Sequence, residues 1–132
     1  MFIIVKSKRM AQKYIIGDVV MYDNKIMVIK EPRDGSHFDL SCQGLVYCLI
    51  NVDEIKPVSL TPEILEKNRW KNFSNGLYWC PNEDCAGVGL SSQTGYVWKA
   101  YIGRHIIRSN INSVSDLQHL LFGLGINHEM EV

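Results

Sequence analysis

Aromatic and basic side chains lie close together in one stretch of this sequence, between Tyr96 and Arg108. An aromatic ring beside a lysine or arginine can stack on a nucleobase while the cation pairs with a phosphate. The stretch contains no acidic residue that would oppose such a ligand. It therefore predicts a surface for a nucleotide or single-stranded nucleic acid, built from Trp98, Lys99, Tyr101, Arg104, His105 and Arg108.

The same stretch also fits a purely structural role. Side chains of a strand alternate between two faces, which puts Tyr96, Trp98 and Ala100 on one face and Val97, Lys99 and Tyr101 on the other. Trp98 would then pack under a C-terminal helix, and Lys99 with Arg104 would keep the opposite face in water. Aromatic residues are ordinary strand formers, so the pattern favours packing for Trp98.

A second aromatic cluster surrounds Asn75-Gly76, the strongest short hairpin signal in the chain. Aromatic residues on a hairpin form either cross-strand core pairs or a protein-binding edge. The cluster therefore predicts a partner-binding or self-association surface that consists of Trp70, Tyr78 and Trp79.

The chain has four cysteines, Cys42, Cys48, Cys80 and Cys85. Their spacings lack the paired C-x-x-C of common zinc sites, so we predict no metal and four reduced thiols in a cytosolic chain. Convergence of the two pairs on one zinc ion is the alternative.

No catalytic constellation accompanies these clusters. The sequence has no phosphate-binding glycine loop, no His-Glu-x-x-His and no glycine-flanked serine, and its four histidines share no ligand-like spacing. We therefore predict a protein that is not an enzyme and has no cofactor. The 14 basic and 14 acidic residues give zero net charge, whereas dedicated nucleic-acid binders are usually basic overall.

The elements that must position these residues begin with a β lobe over residues 12–60. Asp23-Asn24 forms a turn between two apolar, β-branched runs, and Leu45 to Val52 suits a central strand. A Gly-Asp pair followed by a short hairpin is a common opening of small SH3-like barrels. This fold analogy predicts architecture and carries no function.

A short capped helix follows over residues 61–69. Thr61 is a good N-cap, and Pro62 suits the first helical position. Leu60 and Leu65 have the spacing of a hydrophobic staple. We expect Asn68 to end the helix, because asparagine tolerates a left-handed backbone.

Residues 70–125 predict an antiparallel meander covered by a C-terminal helix. Ser113 and Asp116 resemble a capping box, Val114 and Leu117 begin an apolar stripe, and Gly125 fits the position after the helix. The whole chain is therefore predicted to be a single α+β domain over residues 1–132, with both lobes sharing one core.

The segment Leu60 to Trp70 resembles a recurring segment in short proteins of bacterial phages and mobile elements. Segments like Tyr14 to Val20 and Val114 to Phe122 flank it in the same order, so the resemblance covers most of the chain. Arg69 departs from the pattern, which has glycine there. The resemblance implies an origin and an architecture but no chemical activity.

The first residues are predicted to be either a start-site extension over residues 1–9 or an added edge strand at Phe2 to Val5. No apolar run is long enough to span a membrane, so we expect a cytoplasmic protein. Our first functional hypothesis is an accessory protein of a phage or mobile element that binds a host protein or itself. The alternative is a module that binds a nucleotide or single-stranded nucleic acid through the Tyr96–Arg108 strands, with sequestration of that ligand as one such role.

Overall fold

A computed structural model describes residues 14–74, 76–81 and 87–132. The described chain is mostly β-structure, with two five-stranded antiparallel sheets and a C-terminal helix, which confirms the predicted α+β class. The chain divides into two compact units, Met1–Val58 and Ser59–Val132, each with its own sheet. The division lies two residues before the predicted end of the β lobe at residue 60.

The sheet of the first unit has the strand order β4-β3-β2-β1-β5, with a 3-10 turn at Val52–Glu54 before the last strand. Its strands are β1 (Val19–Tyr22), β2 (Lys25–Pro32), β3 (His37–Cys42), β4 (Leu45–Asn51) and β5 (Lys56–Pro57).

Local chemistry explains the first hairpin of this sheet. Asp23 and Asn24 have φ angles of 51° and 59°, a left-handed pair whose twist matches that of the flanking strands. Alternation in β2 then buries Met27 and Ile29 and exposes their neighbours. The core formed on this side also contains Phe38, whose ring meets that of Tyr14 edge-on at 5.7 Å.

The second unit has the strand order β10-β9-β8-β7-β6, with a helix before and a helix after the sheet. Its elements are α1 (Pro62–Lys67), β6 (Lys71–Ser74), β7 (Leu77–Trp79), β8 (Val88–Ser91), β9 (Trp98–Ile102), β10 (His105–Ile111) and α2 (Val114–Gly123).

Helix α1 begins and ends at the predicted residues, but its left-handed residue lies one position later than expected. The Thr61 hydroxyl oxygen accepts from the amide of Ile64 at 3.3 Å, and Leu60 and Leu65 are fully buried. The left-handed residue is Arg69, with a φ of 69°, whereas Asn68 has a φ of −94°. Asn68 is the C-cap, as predicted, but the left-handed conformation expected of it is adopted by Arg69, which occupies the position where glycine is favoured.

Helix α2 has the predicted capping box, in which the Ser113 hydroxyl accepts from the Asp116 amide and the Asp116 carboxylate accepts from the Ser113 amide. Gly125 follows the helix with a φ of 74°. The C-terminal segment is held by side chains, since Asn68 both donates to and accepts from the backbone of Glu131, at 2.8 and 2.9 Å.

Both described sheets have short or bulged edge strands. In β4 two residues, Cys48 and Leu49, oppose one residue of β3, and Leu49 has a φ of 54°. Register shifts also interrupt β6 and β10, and β5 has only two residues and ends in Pro57. Such irregular edges hinder the addition of a further strand.

Some predictions fall outside the described residues. They concern the start-site extension over residues 1–9, the edge strand at Phe2 to Val5, the turn residue Asn75, and Cys85. Neither described helix has the length and apolarity that crossing a membrane requires.

Candidate functional site

The strand register of the second sheet gathers aromatic and basic residues on one face. Trp79, Gly89 and Tyr101 lie directly opposite one another on β7, β8 and β9. Lys71 continues this row beyond Trp79, and Ile106 continues it beyond Tyr101. Directly opposed residues share a face of the sheet, so the side chains of this row point to the same side. We call this side the aromatic face. Its second row consists of Leu77, Ser91 and Lys99.

The position of the Trp79 ring depends on Gly89. A β-carbon at Gly89 would lie 2.7 Å from ring atom Cζ3 of Trp79 and 2.9 Å from Cε3. The indole therefore covers Gly89 and stays half-buried against the sheet. Phe73, which is 65% exposed, meets the Trp79 ring edge-on with 6.5 Å between ring centroids. These rings extend the aromatic face to the edge strand β6.

The second sheet is locally basic although the whole chain is neutral. Strands β6 to β10 contain Lys71, Lys99 and Arg108 and no aspartate or glutamate. Both lysines of the aromatic face are exposed. Among the described residues, no carboxylate lies within ion-pair distance of either lysine. Within the part of the chain that the structure describes, the face therefore carries positive charge without a paired carboxylate.

A polar pocket of about 270 Å³ adjoins Lys99 and Tyr101 at the loop between β8 and β9. The hydroxyl oxygen of Thr94 accepts from the amides of Tyr96 and Val97, at 3.1 and 3.3 Å. These bonds fix the loop and leave the threonine O–H as a donor. The lining is Ser91, Ser92, Gln93, Thr94, Val97, Lys99, Tyr101 and Asn110.

The structure separates Trp98 from its neighbours in the predicted binding surface. Lys99 and Tyr101 lie on the aromatic face, but Trp98 points to the opposite face and is 0% exposed. Its indole N–H donates to the carbonyl of Leu60 at 2.9 Å, and its ring meets Tyr78 at 5.7 Å. A fully buried ring offers no surface to a base, so Trp98 has the packing role and leaves the candidate site.

The remaining basic residues of the predicted surface do not join Lys99. The register shift after Ile106 places Arg108 opposite Ala100, whose side chain points to the core. His105 pairs with Ile102, which lies on the same face of β9 as Ala100. Arg104 lies in the turn between β9 and β10. Arg104, His105 and Arg108 are exposed, but the bulge turns Arg108 away from the aromatic face.

The predicted partner surface is not formed as a unit, because two of its three residues belong to the core. Trp70 is 5% exposed and Tyr78 is 3% exposed. The Tyr78 O–H donates to the Glu66 carboxylate at 2.9 Å. Burial, together with that carboxylate, raises the pKa of Tyr78 to about 12. Only Trp79 remains at the surface, where it joins Lys99 and Tyr101.

Sequence reasoning missed several residues that shape this site, among them Lys71, Phe73, Gly89, Ser91 and Asn110. Gly89 carried a usable signal, because a glycine inside an apolar strand often marks a close approach of another group. Asn110 has a φ of 58° and lies in the second register shift of β10. Nothing in the local sequence indicates that this shift brings Asn110 to the pocket.

One of the three cysteines that the structure describes differs from the prediction. Cys42 and Cys48 are free thiols, but Cys80 is disulfide-bonded. The prediction of four reduced thiols was therefore wrong for Cys80, because it relied on an assumed compartment rather than on cysteine geometry. In the described ranges, no three histidine, cysteine or carboxylate side chains converge on a common point.

The aromatic face offers three kinds of contact. Trp79 and Tyr101 offer rings for stacking, Lys71 and Lys99 offer charge, and the pocket offers hydroxyl donors. Together these contacts suit an anionic ligand with flat groups. No protein-family profile matches the chain, and no curated protein or solved structure matches it.

Proposed function

We propose that this protein binds single-stranded nucleic acid or a nucleotide on its aromatic face. The observation that carries the proposal is the placement of Trp79 and Tyr101 in one row, with Lys71 and Lys99 on the same face. Stacking on aromatic side chains contributes about 1–3 kcal/mol per base and tolerates any base. The proposal moves the binding surface predicted at Tyr96–Arg108 to the face that also contains Trp79.

The irregular sheet edges support a ligand on the face rather than an added strand. A partner strand needs a continuous ladder of free amides and carbonyls, which bulges interrupt. Bulges occur in β4, β6 and β10, and β5 is too short to offer a ladder. The aromatic face has exposed rings and lysines that need no such ladder.

A fluorescence-anisotropy titration with a short dye-labelled oligothymidylate tests the proposal, because the signal of the dye does not depend on Trp79. We expect Trp79→Ala to weaken binding by about 1–3 kcal/mol through lost stacking. Lys99→Ala should weaken binding and reduce its salt dependence. Arg108→Ala is the matched control, because it removes one cation from the neighbouring strand on the opposite side of the sheet.

The proposal fails if the oligothymidylate does not bind, or if Arg108→Ala weakens binding as much as Lys99→Ala. Circular dichroism melting of each variant separates lost binding from lost folding. Trp79 reports ligand directly, because the other two tryptophans, Trp70 and Trp98, are buried.

A second candidate is the accessory role predicted from the sequence, in which the protein of a phage or mobile element binds a host protein or itself. Strand β4 favours it, because this strand has no charged residue and Leu45, Val46 and Leu49 are 62%, 44% and 61% exposed. Light scattering should show a smaller species for Leu45→Ser if copies associate there. Leu124→Ser is the control, since Leu124 is 41% exposed in the other unit.

We also propose that the first unit is a small SH3-like barrel. The strand order β4-β3-β2-β1-β5 and the 3-10 turn at Val52–Glu54 support it. This assignment concerns architecture alone, since such barrels serve many functions. An experimentally determined structure of the chain would test whether the sheet closes.

A further inference from the structure

We infer that the polar pocket beside the aromatic face is a subsite for a phosphate monoester at the end of a nucleic-acid strand or on a free nucleotide. The inference rests on the proposed function and extends it, because it assigns a preferred ligand end. Its basis is that hydrogen-bond donors and one cation line the same pocket, and that the volume of this pocket is small.

Hydrogen bonds within the loop of the pocket leave its hydroxyl groups as donors. The Ser92 oxygen accepts from the Gly95 amide at 2.8 Å, and the Thr94 oxygen accepts from two amides. A hydroxyl that accepts such bonds retains its own O–H proton. Ser92 and Thr94 therefore have protons to donate to an anion.

The sheet supplies the remaining charge and another hydroxyl donor. The Ser91 hydroxyl donates to the Tyr101 oxygen at 3.3 Å, which leaves the Tyr101 O–H as a donor. Lys99 lies opposite Ser91 and is exposed. None of the described residues that line the pocket has a carboxylate, and the ammonium group of Lys99 is the charge that they present to a ligand.

Asn110 reaches the pocket because of the bulge in β10. Its backbone is left-handed, with a φ of 58°, in the register shift between Arg108 and Ile111. Bulges re-aim side chains and are frequent beside functional sites. The Asn110 amide adds N–H donors to a pocket that already contains the hydroxyl groups and Lys99.

Size and charge favour a terminal phosphate over an internal one. The volume of about 270 Å³ lies below the roughly 300–1,000 Å³ of most ligand pockets, so one phosphate with its sugar is a suitable occupant. A monoester carries about −1.5 to −2 charges at neutral pH and exposes three acceptor oxygens. An internal diester carries one negative charge and has fewer free oxygens for these donors.

The experiment compares oligothymidylates of one length that are phosphorylated at one end, phosphorylated at the other end, or unphosphorylated. We expect one phosphorylated form to bind about tenfold more tightly, the effect of one hydrogen-bonded charged group. Thymidine monophosphate and thymidine form a second pair. A preference within this pair assigns the pocket to free nucleotides as well, and a preference within the oligomers alone assigns it to strand ends.

Two variants link the preference to the pocket. Asn110→Gly removes the amide while glycine accepts the left-handed backbone, and Tyr101→Phe removes one O–H while retaining the ring. We expect each to lower the ratio of phosphorylated to unphosphorylated affinity about threefold to tenfold. Arg108→Ala lies outside the pocket and should leave this ratio unchanged.

Equal affinities for phosphorylated and unphosphorylated ligands overturn the inference and leave the proposed function standing. A preference that survives both variants also overturns it, since the phosphate would then bind elsewhere. If none of the ligands binds, the proposed function fails together with the inference. Melting of each variant by circular dichroism shows whether a changed ratio comes from a folded protein.

Discussion

At the scale of single residues, Gly89 determines how the Trp79 ring lies against the sheet and how much of the ring is exposed for stacking. The indole of Trp79 occupies the space that a side chain at position 89 would fill. A β-carbon built on Gly89 would lie 2.7 Å from ring atom Cζ3 of Trp79. The ring is therefore held against the sheet in a fixed position, and a fixed ring loses less conformational freedom when a base stacks on it. One glycine thus connects backbone packing with the candidate site.

Gly89→Ala should move the Trp79 ring off the sheet and weaken oligothymidylate binding, because a methyl group and the indole cannot share that space. We expect tryptophan emission to shift to longer wavelength as the ring becomes more exposed. Gly123→Ala is the control, since a β-carbon there meets nothing within 4 Å. Unchanged emission and binding in Gly89→Ala would contradict this role.

Tyr78 gives a residue-scale prediction about pH. Its pKa is raised to about 12 by burial and by its bond to Glu66, from about 10 in an unfolded chain. The fold favours the neutral phenol, so this contribution to stability is complete below about pH 10 and is lost as the pH rises toward the folded pKa.

Denaturant unfolding across that range should show a steeper loss of stability in the parent protein than in Tyr78→Phe, which has no phenol to ionise. Tyrosinate absorbance provides the independent measurement of the Tyr78 pKa. Parallel stability curves for the two proteins would refute the assignment.

At the scale of elements, helix α1 shows a strong start and a strained end. Thr61, Pro62 and the buried pair Leu60 and Leu65 follow the rules of helix initiation. The end uses a bond from the Trp70 amide to the Leu65 carbonyl at 2.9 Å, which requires a left-handed residue between them. Arginine fills that position, although glycine adopts it at lower cost.

Arg69→Gly should therefore raise the free energy of unfolding by roughly 1 kcal/mol through relief of the left-handed strain. Chemical denaturation of the variant measures the change. Lys67→Gly is the contrasting control. Lys67 is helical, so this variant should have a free energy of unfolding about 1 kcal/mol lower than that of the parent. Destabilisation by Arg69→Gly would show that the arginine side chain makes a larger contribution than its backbone costs.

At the scale of the whole molecule, zero net charge hides an uneven distribution. The strands of the second sheet contain three cations and no carboxylate, while acidic residues lie elsewhere in the chain. Local charge acts over about 8–10 Å in physiological salt, so a ligand on the aromatic face responds to nearby lysines rather than to the total. A neutral chain is thus compatible with a cationic binding surface.

The salt dependence of binding should reflect Lys71 and Lys99 alone. For two phosphate contacts to a single strand, the slope of log affinity against log salt should be about −1.4. Lys99→Ala should reduce its magnitude to about 0.7, and Arg108→Ala should leave it unchanged. A steep slope that none of these changes alters would place the phosphate contacts outside the aromatic face.

The sequence by itself determined the local features of this protein. Turn and cap chemistry predicted the Asp23-Asn24 turn, the N-cap Thr61 and the Ser113–Asp116 capping box, because each depends on residues within one turn of chain. Alternation correctly separated Trp98 from Lys99 and Tyr101, since successive side chains of a strand point to opposite faces. These signals need no knowledge of the rest of the fold.

Only the tertiary structure decided which face is buried and which residues meet there. Trp79 and Trp98 are both tryptophans in strands, yet one covers Gly89 at the surface and the other bonds to Leu60 in the core. The bulge after Ile106 places Arg108 on the face opposite to Lys99, because a one-residue shift in register moves a side chain to the other face of the sheet. Such shifts depend on pairing between distant strands, which local sequence patterns do not encode.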